Sequence, residues 1–301
     1  MEDRAALDLD LEQVAPGARG LVLEGGGVRG IYSAGILDVM MEHGIEVDGV
    51  VGVSAGAIHG SSYISGQPGR GIRLYLTYSP TPEFMGWRNW FRTGDFVDYQ
   101  FAYVDMCNKL VPFDYDAMER SPVAFYTVST DVDSGKPYYH RTRTIRGGEM
   151  QSLRASASLP LVSRLVEYEG HRLLDGGASD SIPVRFLRDL GYTRTVVVLT
   201  QVAGYRKKPQ SMGLFRFKYR KFPGFLQTME SRHETYNATL DEVTRLEEQG
   251  EVFVFRPSKK VKISRLERDP RKILAMYELG RQDALNRLGA LSDFLGKCRE
   301  V

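Results

Sequence analysis

The 301-residue sequence holds only two cysteines, Cys107 and Cys298, too few and too far apart for a disulfide framework or a thiolate metal site. It contains no run of about 18 apolar residues, which excludes a membrane-spanning helix. Forty basic residues against 38 acidic leave a net charge of +2, so any electrostatic signal has to be local. Met1 to Gly20 carries five acidic residues and two arginines without an apolar run. That reads as a loose arm over residues 1–18, not as a signal peptide or anchor. No internal repeat is visible. What remains, 42% hydrophobic and 26% charged, fits a soluble globular protein, expected to be reduced and cytoplasmic.

The informative stretch is Val50-Val51-Gly52-Val53-Ser54-Ala55-Gly56-Ala57, an apolar strand that breaks into Gly-x-Ser-x-Gly and continues as helix. A serine held on so sharp a turn needs slim neighbours, which Gly52 and Gly56 supply. The turn sets Ser54 at a helix N-terminus, where free N–H groups favour a developing oxyanion. Alone the match is weak, because such a loop can be no more than a turn. Upstream, Gly20 to Glu24 reads as a strand, Gly25-Gly26-Gly27-Val28-Arg29-Gly30 as a glycine turn and Ile31 to Met41 as a helix. The glycines also satisfy Gly-x-Gly-x-x-Gly, but a dinucleotide site wants an acidic residue closing the second strand, and Ser54 stands there. Consecutive glycines suit a row of N–H donors beside Ser54, with Arg29 adding positive charge. Far downstream, Arg172 to Asp175 reads as a strand ending in Asp175-Gly176-Gly177. A carboxylate there could act as a base if burial raises its pKa; an ordinary Asp-Gly turn is the plainer alternative.

Taken in order, these three motifs resemble the patatin-like phospholipase family over roughly residues 20 to 185. Ala155-Ser156-Ala157-Ser158-Leu159-Pro160 is similar to a further segment of that family. The resemblance implies an α/β, three-layer fold with a central, mostly parallel sheet flanked by helices. It implies a histidine-free dyad with Ser54 as nucleophile and Asp175 as proton acceptor. The implied oxyanion hole draws on Gly25, Gly26, Gly27, Arg29, Gly30 and Ala55, with Gly176 and Gly177 forming the base turn. No metal or organic cofactor is implied. Residues 19–200 are expected to form the catalytic domain, and 201–301 a helical C-terminal extension packed on it.

Three histidines need weighing. His59 falls more than a helical turn after Ser54 and reads as structural. His171 shares a strand face with Asp175. His233 satisfies the order Ser, Asp, His but sits in a helical pattern, so the dyad is preferred over a triad. Asp180 reads as a helix cap ahead of Pro183. Asp131 and Asp133 read as a turn, because a calcium loop is not completed. The aromatic-rich span 79–122 either lines an acyl cleft or packs as ordinary core. Residues 203–229 hold no acidic residue, and between 206 and 225 basic and aromatic side chains alternate. That pattern suits a basic surface loop or a peripheral contact with an anionic membrane; nucleic acid draws on the same residue types but is not expected as a partner. Leu274, Tyr277, Leu288, Leu291, Phe294 and Leu295 read as the core stripe of a last helical element.

The expected activity is hydrolysis of lipid acyl esters of phospholipase A or lysophospholipase type. The alternatives are a broad carboxylesterase or thioesterase without a lipid interface, and a membrane-associated regulatory protein with a vestigial site.

Overall fold

A computed structural model describes residues 14–296; most of the expected arm, and Cys298, lie outside the described residues. The strands are β1 (Arg19–Leu23), β2 (Gly49–Val53), β3 (Ala124–Asp131), β4 (Pro137–Arg141), β5 (Val166–Tyr168), β6 (His171–Asp175), β7 (Arg194–Val198) and β8 (Val252–Phe255). They form one sheet in the order β5-β6-β3-β2-β1-β7-β8, with β4 also paired to β3. From β3 to β8 the neighbours run parallel, while β4, β5 and β6 add an antiparallel side.

The parallel strands are apolar on both faces because both are covered. Leu21, Leu23, Val196, Val198, Phe253 and Phe255 face one core, and Val22, Val197, Val252 and Val254 the other. The first core packs against α1 (Ile31–Glu42), α2 (Ala55–Ile64), α3 (Arg70–Tyr78), α10 (Pro270–Asn286) and α11 (Leu288–Leu295). The second packs against α7 (Val184–Asp189) and α9 (Pro223–Glu248). The result is three layers. The remaining helices are α4 (Trp87–Thr93), α5 (Tyr115–Arg120), α6 (Met150–Ser156) and α8 (Gly213–Lys218), and Gln100–Leu110 winds as a π-helix.

The C-terminal third shares this core: β8 extends the sheet beside β7, and α10 lies directly on α1. Gly35 and Gly280 make that approach possible, because a Cβ on Gly280 would stand 2.2 Å from the Tyr32 carbonyl oxygen. Leu274 departs from its expected place, being exposed while Ile273 is buried, whereas Tyr277, Leu291 and Leu295 of the same stripe are buried as expected. Asp180 does not cap α7 either. Its carboxylate accepts from Tyr139 Oη and the Ile182 N–H, and Pro183 precedes the helix.

Topology decides where a site can form. From β1 the chain moves to β2 and β3 on one side, whereas β7 and β8 lie on the other, so the loops at the carboxyl ends of β1, β2 and β7 splay apart and leave a crevice.

Candidate active site

Ser54 follows β2 with φ 55° and ψ −122°, a strained conformation for a side chain-bearing residue, and it opens α2. The turn closes only because its flanks are bare. A Cβ on Gly52 would lie 2.6 Å from Ala57 Cα, and one on Gly56 would lie 2.4 Å from the Leu23 carbonyl oxygen. Ser156 pins the strained residue from behind: its Oγ accepts the Ser54 N–H at 2.9 Å and donates to the Val128 carbonyl at 2.6 Å.

Sheet register brings Asp175 to the same level. Val53 is opposite Val128, and the next residue of β3, Ser129, is opposite Asp175. Asp175 is held at its backbone as well, its N–H donating to Ser158 O at 2.8 Å and its carbonyl accepting from Thr130 Oγ1 at 2.9 Å. One carboxylate oxygen, Oδ1, accepts the Gly177 N–H at 2.7 Å. The other, Oδ2, is buried and accepts no well-aligned hydrogen bond, yet the Ser54 side chain is close enough to act on the carboxyl as a hydrogen-bond partner. Burial pushes the Asp175 pKa up; Ser54, the Gly177 N–H and the Arg232 charge oppose that rise.

The glycine turn after β1 lies across the pocket. Gly25, Gly26, Gly27 and Arg29 line one polar crevice together with Ser54, Asp175 and Gly177. Gly27 has φ +56°, and a Cβ there would sit 2.5 Å from the Arg265 carbonyl, which also accepts the Val28 N–H at 2.9 Å. The N–H groups of Gly26, Gly27 and Ala55 donate to no protein acceptor among the described residues, which leaves three donors near Ser54. Gly30 packs against Ala55, where a Cβ would come within 2.6 Å of the alanine methyl, and Gly176 packs against the Val128 carbonyl at 2.2 Å by the same measure. These two support the turns and are not among the residues lining the crevice. Arg29 is half-buried, and its Nε, which is buried, has no hydrogen-bond partner.

Two different spaces meet at Ser54. One is an apolar cavity of about 110 Å³ whose walls include Ile58, Leu74, Phe84, Tyr103, Met106 and Phe113. The aromatic span 79–122 is divided: Phe84, Tyr103 and Phe113 face this cavity, while Phe96 packs in the core. The other space is the polar crevice, which runs on through Tyr205, Lys207, Arg232 and Arg265 into an outer cavity of about 360 Å³.

None of the weighed histidines joins Ser54. His59 is buried, and burial with the Arg70 charge pushes its pKa down to about 4. His171 bonds Asp131 at 2.7 Å, and His233, on α9, lines the outer cavity. Asp131 also accepts from Ser134 in the turn read from the sequence. Within 206–225, Arg206 pairs with Asp241, Arg216 pairs with Glu230 at 2.7 Å, and Phe215, Tyr219 and Phe225 are buried. Leu214 and Phe217 remain exposed.

Several residues at the site carried no signal in the sequence. Ser156 stood inside a quoted segment without a role. Glu24 is a buried carboxylate at the end of β1 that accepts from Tyr236 Oη at 2.6 Å and from the Thr200 N–H at 2.5 Å. Lys207, Arg232 and Arg265 are far apart in the chain, and only the closing of α9 over the crevice brings them together.

A sequence profile described as Patatin-like phospholipase matches residues 21–188, and one described as a domain of unknown function (DUF6363) matches 222–296. Uncharacterized protein YjjU of Escherichia coli (strain K12) is 33% identical over 207 residues, covering 67% of this chain and 57% of YjjU. Lysophospholipase NTE1 of Cryptococcus neoformans is 31% identical over 185 residues, 60% of this chain but 11% of that protein. The chain therefore spans little more than half of one relative and about a tenth of the other. The solved structure of VipD from Legionella pneumophila resembles it loosely, with a TM-score of 0.45 and 12% identity over 92% of this chain and 67% of that one.

Proposed function

The chain belongs to the patatin-like phospholipase family, and from that premise we propose that it hydrolyses acyl esters of lipids, of phospholipase A or lysophospholipase type, through Ser54 and Asp175. The observation that carries the reading is the meeting of the Ser54 hydroxyl and the buried Asp175 carboxyl at the junction of an apolar and a polar space. Asp175 takes the proton from Ser54 Oγ as the oxygen attacks the ester carbonyl. The N–H groups of Gly26, Gly27 and Ala55 receive the oxyanion; loss of one such donor costs on the order of 10²–10³ in rate. Asp175 then returns the proton to the leaving alkoxide. A water molecule, deprotonated by the same carboxylate, releases the acyl chain and restores Ser54. The apolar cavity receives the acyl chain, and the polar crevice the alcohol part of the ester.

Residues 19–200 carry the catalytic groups, and Tyr205, Lys207, Arg232 and Arg265 of the C-terminal part close the crevice from the other side. No helix among the described residues is long and apolar enough to cross a membrane. Access to lipid is instead by peripheral contact, for which Leu214 and Phe217 on α8 and Trp87 and Phe91 on α4 offer exposed apolar side chains. The loop joining α6 to β5 ties these two helices together: Lys218 Nζ donates to Leu161 O at 3.1 Å, and the Phe96 N–H to Val162 O at 2.8 Å.

A fluorophosphonate probe tests the assignment directly. Wild-type protein is expected to be labelled at Ser54, Ser54→Ala not at all and Asp175→Asn much more slowly, in parallel with release of fatty acid from a lipid panel. Labelling at another serine, or undiminished lipid hydrolysis by Ser54→Ala, would sink it.

A further inference from the structure

The cavity on the apolar side of Ser54 is not apolar throughout. Arg70, the first residue of α3, lines it with only 3% of its own surface exposed to solvent. A terminal nitrogen donates to the Val111 carbonyl at 3.3 Å and to Cys107 Sγ at 3.4 Å, and the guanidinium carbon stands 5.1 Å from the centre of the Phe113 ring. Its Nε is buried and has no partner. The polar crevice sets Glu24 and Asp175 among its cations, but no carboxylate lines this cavity, and Arg70 forms no ion pair among the described residues. Asp38 accepts the Gly69 N–H next to Arg70 in the chain, yet its carboxylate is engaged by Tyr277 at 2.7 Å.

The titratable groups that face Arg70 do not supply the missing charge. Burial pushes the Cys107 thiol up, with the Arg70 charge opposing, and burial also raises Tyr115. His59 on α2 is held neutral by burial, and Arg73 is a second cation. A guanidinium stays protonated in such surroundings, and a cation taken out of water is costly until a counter-charge joins it. Two neutral donors stand on the same wall. Tyr75 and Tyr103 line the cavity, burial raises both phenols, Tyr75 to about 12, and neither hydroxyl forms a hydrogen bond among the described residues. Distance from the nucleophile follows from α2: Arg70 Nη1 lies 3.5 Å from Ser62 Oγ, and Ser62 is eight residues beyond Ser54, about 12 Å along the helix axis. An extended chain gains about 1.2 Å per bond, so about ten bonds bridge that gap.

We propose that Arg70, with the Tyr75 and Tyr103 hydroxyls, is a subsite for a carboxylate at the far end of the acyl chain, so that the preferred acyl group is that of a dicarboxylic acid. The reaction rests on the hydrolase reading, whereas the binding site does not, and two measurements separate them. In the first, wild-type kcat/KM is compared for the 4-nitrophenyl monoester of decanedioic acid and the 4-nitrophenyl ester of decanoic acid. A preference of about tenfold or more for the carboxylate-tipped chain is expected, the worth of one charge-assisted hydrogen bond. Arg70→Met keeps much of the bulk without the charge and should reverse that preference. Tyr103→Phe keeps the ring and should cut it about fivefold, which serves if Arg70→Met melts early. In the second, the full chain carrying Ser54→Ala is titrated calorimetrically with monomethyl decanedioate. Binding is expected, weakened about tenfold or more by adding Arg70→Met.

Faster cleavage of the decanoyl ester by wild type would overturn the subsite, as would a preference that neither Arg70→Met nor Tyr103→Phe changes, or an absence of binding by the Ser54→Ala chain. In each of those cases the hydrolase reading stands. Arg70-dependent binding of monomethyl decanedioate by a protein that cleaves neither ester would uphold the subsite and end the hydrolase reading.

Discussion

On one side of Ser54 stand Ile58, Leu74, Phe84, Tyr103, Met106 and Phe113; on the other stand Arg29, Lys207, Arg232 and Arg265. The apolar wall comes mostly from within the segment that matches the family profile, chiefly from α2, α3 and the π-helix, with Leu266 added from beyond it. The cationic wall comes mostly from beyond it, Lys207 preceding α8, Arg232 riding on α9 and Arg265 preceding α10. A wall of the first kind binds through apolar area and tolerates many chain shapes. A wall of the second kind selects by charge and geometry, because its cations gain most from an anion that satisfies them. The contrast assigns reach to one segment and choice to the other.

Asp175→Asn strikes the floor common to both walls and has the largest expected effect. Hydrolysis of neutral and phosphate-bearing esters should fall together, by about 10³-fold or more. The same change should raise the melting temperature by a few degrees, as read by calorimetry. The folded-state pKa of Asp175 lies above its unfolded value, so its contribution to stability is present at low pH and is lost as pH rises through the folded pKa. An amide removes that charge. For wild type, the acid limb of kcat/KM should lie above the ordinary carboxylate range of about 4, because the base must be ionised to act. A fall in both rate and melting temperature would contradict the account of a buried, costly base.

Narrowing the apolar wall should separate chain lengths. Ala102, on the π-helix, faces the cavity of about 110 Å³, and Ala102→Phe adds a ring to that space. Long-chain esters should lose about ten- to a hundredfold in kcat/KM while acetate esters lose little, since each excluded CH₂ is worth about 0.8 kcal/mol. Uniform loss across chain lengths would remove the acyl chain from this cavity. The smallest effect belongs to the rim. Phe217→Ser should weaken binding to anionic vesicles by about tenfold, the worth of part of one aromatic side chain, with turnover of soluble esters as the comparison. Unchanged sedimentation with vesicles would take α8 out of the contact.

Much of the floor was legible because its signals are local. Gly52, Ser54 and Gly56 sit within one turn, and Gly25 to Gly30 and Asp175 to Gly177 each occupy another. Each follows a short apolar run that reads as a strand. The histidines could be weighed by the elements they fall on. The walls were less legible. The aromatic span 79–122 left two readings open because a side chain lining a cavity and one filling a core are equally apolar. Lys207 and Arg232 looked like any charged residues on a loop and on a helix face, and the basic-aromatic run drew attention while its rings Phe215, Tyr219 and Phe225 went inward. Leu274 went wrong because it and Ile273 both flank the stripe through Tyr277, and periodicity alone does not say which of two adjacent apolar residues turns inward.

The sequence by itself determined a strand-turn-helix for Ser54, a glycine turn before it, a carboxylate on a tight turn after it and a layered α/β frame, because each depends on residues within one turn or one period of each other. Only the tertiary structure decided that Val53, Val128, Ser129 and Asp175 share a register across three strands. It alone decided that Arg29, Lys207, Arg232 and Arg265 meet in one crevice with Glu24 and Asp175. Those outcomes follow from how sheet and helices close, and the energy of a charge depends on what closes around it.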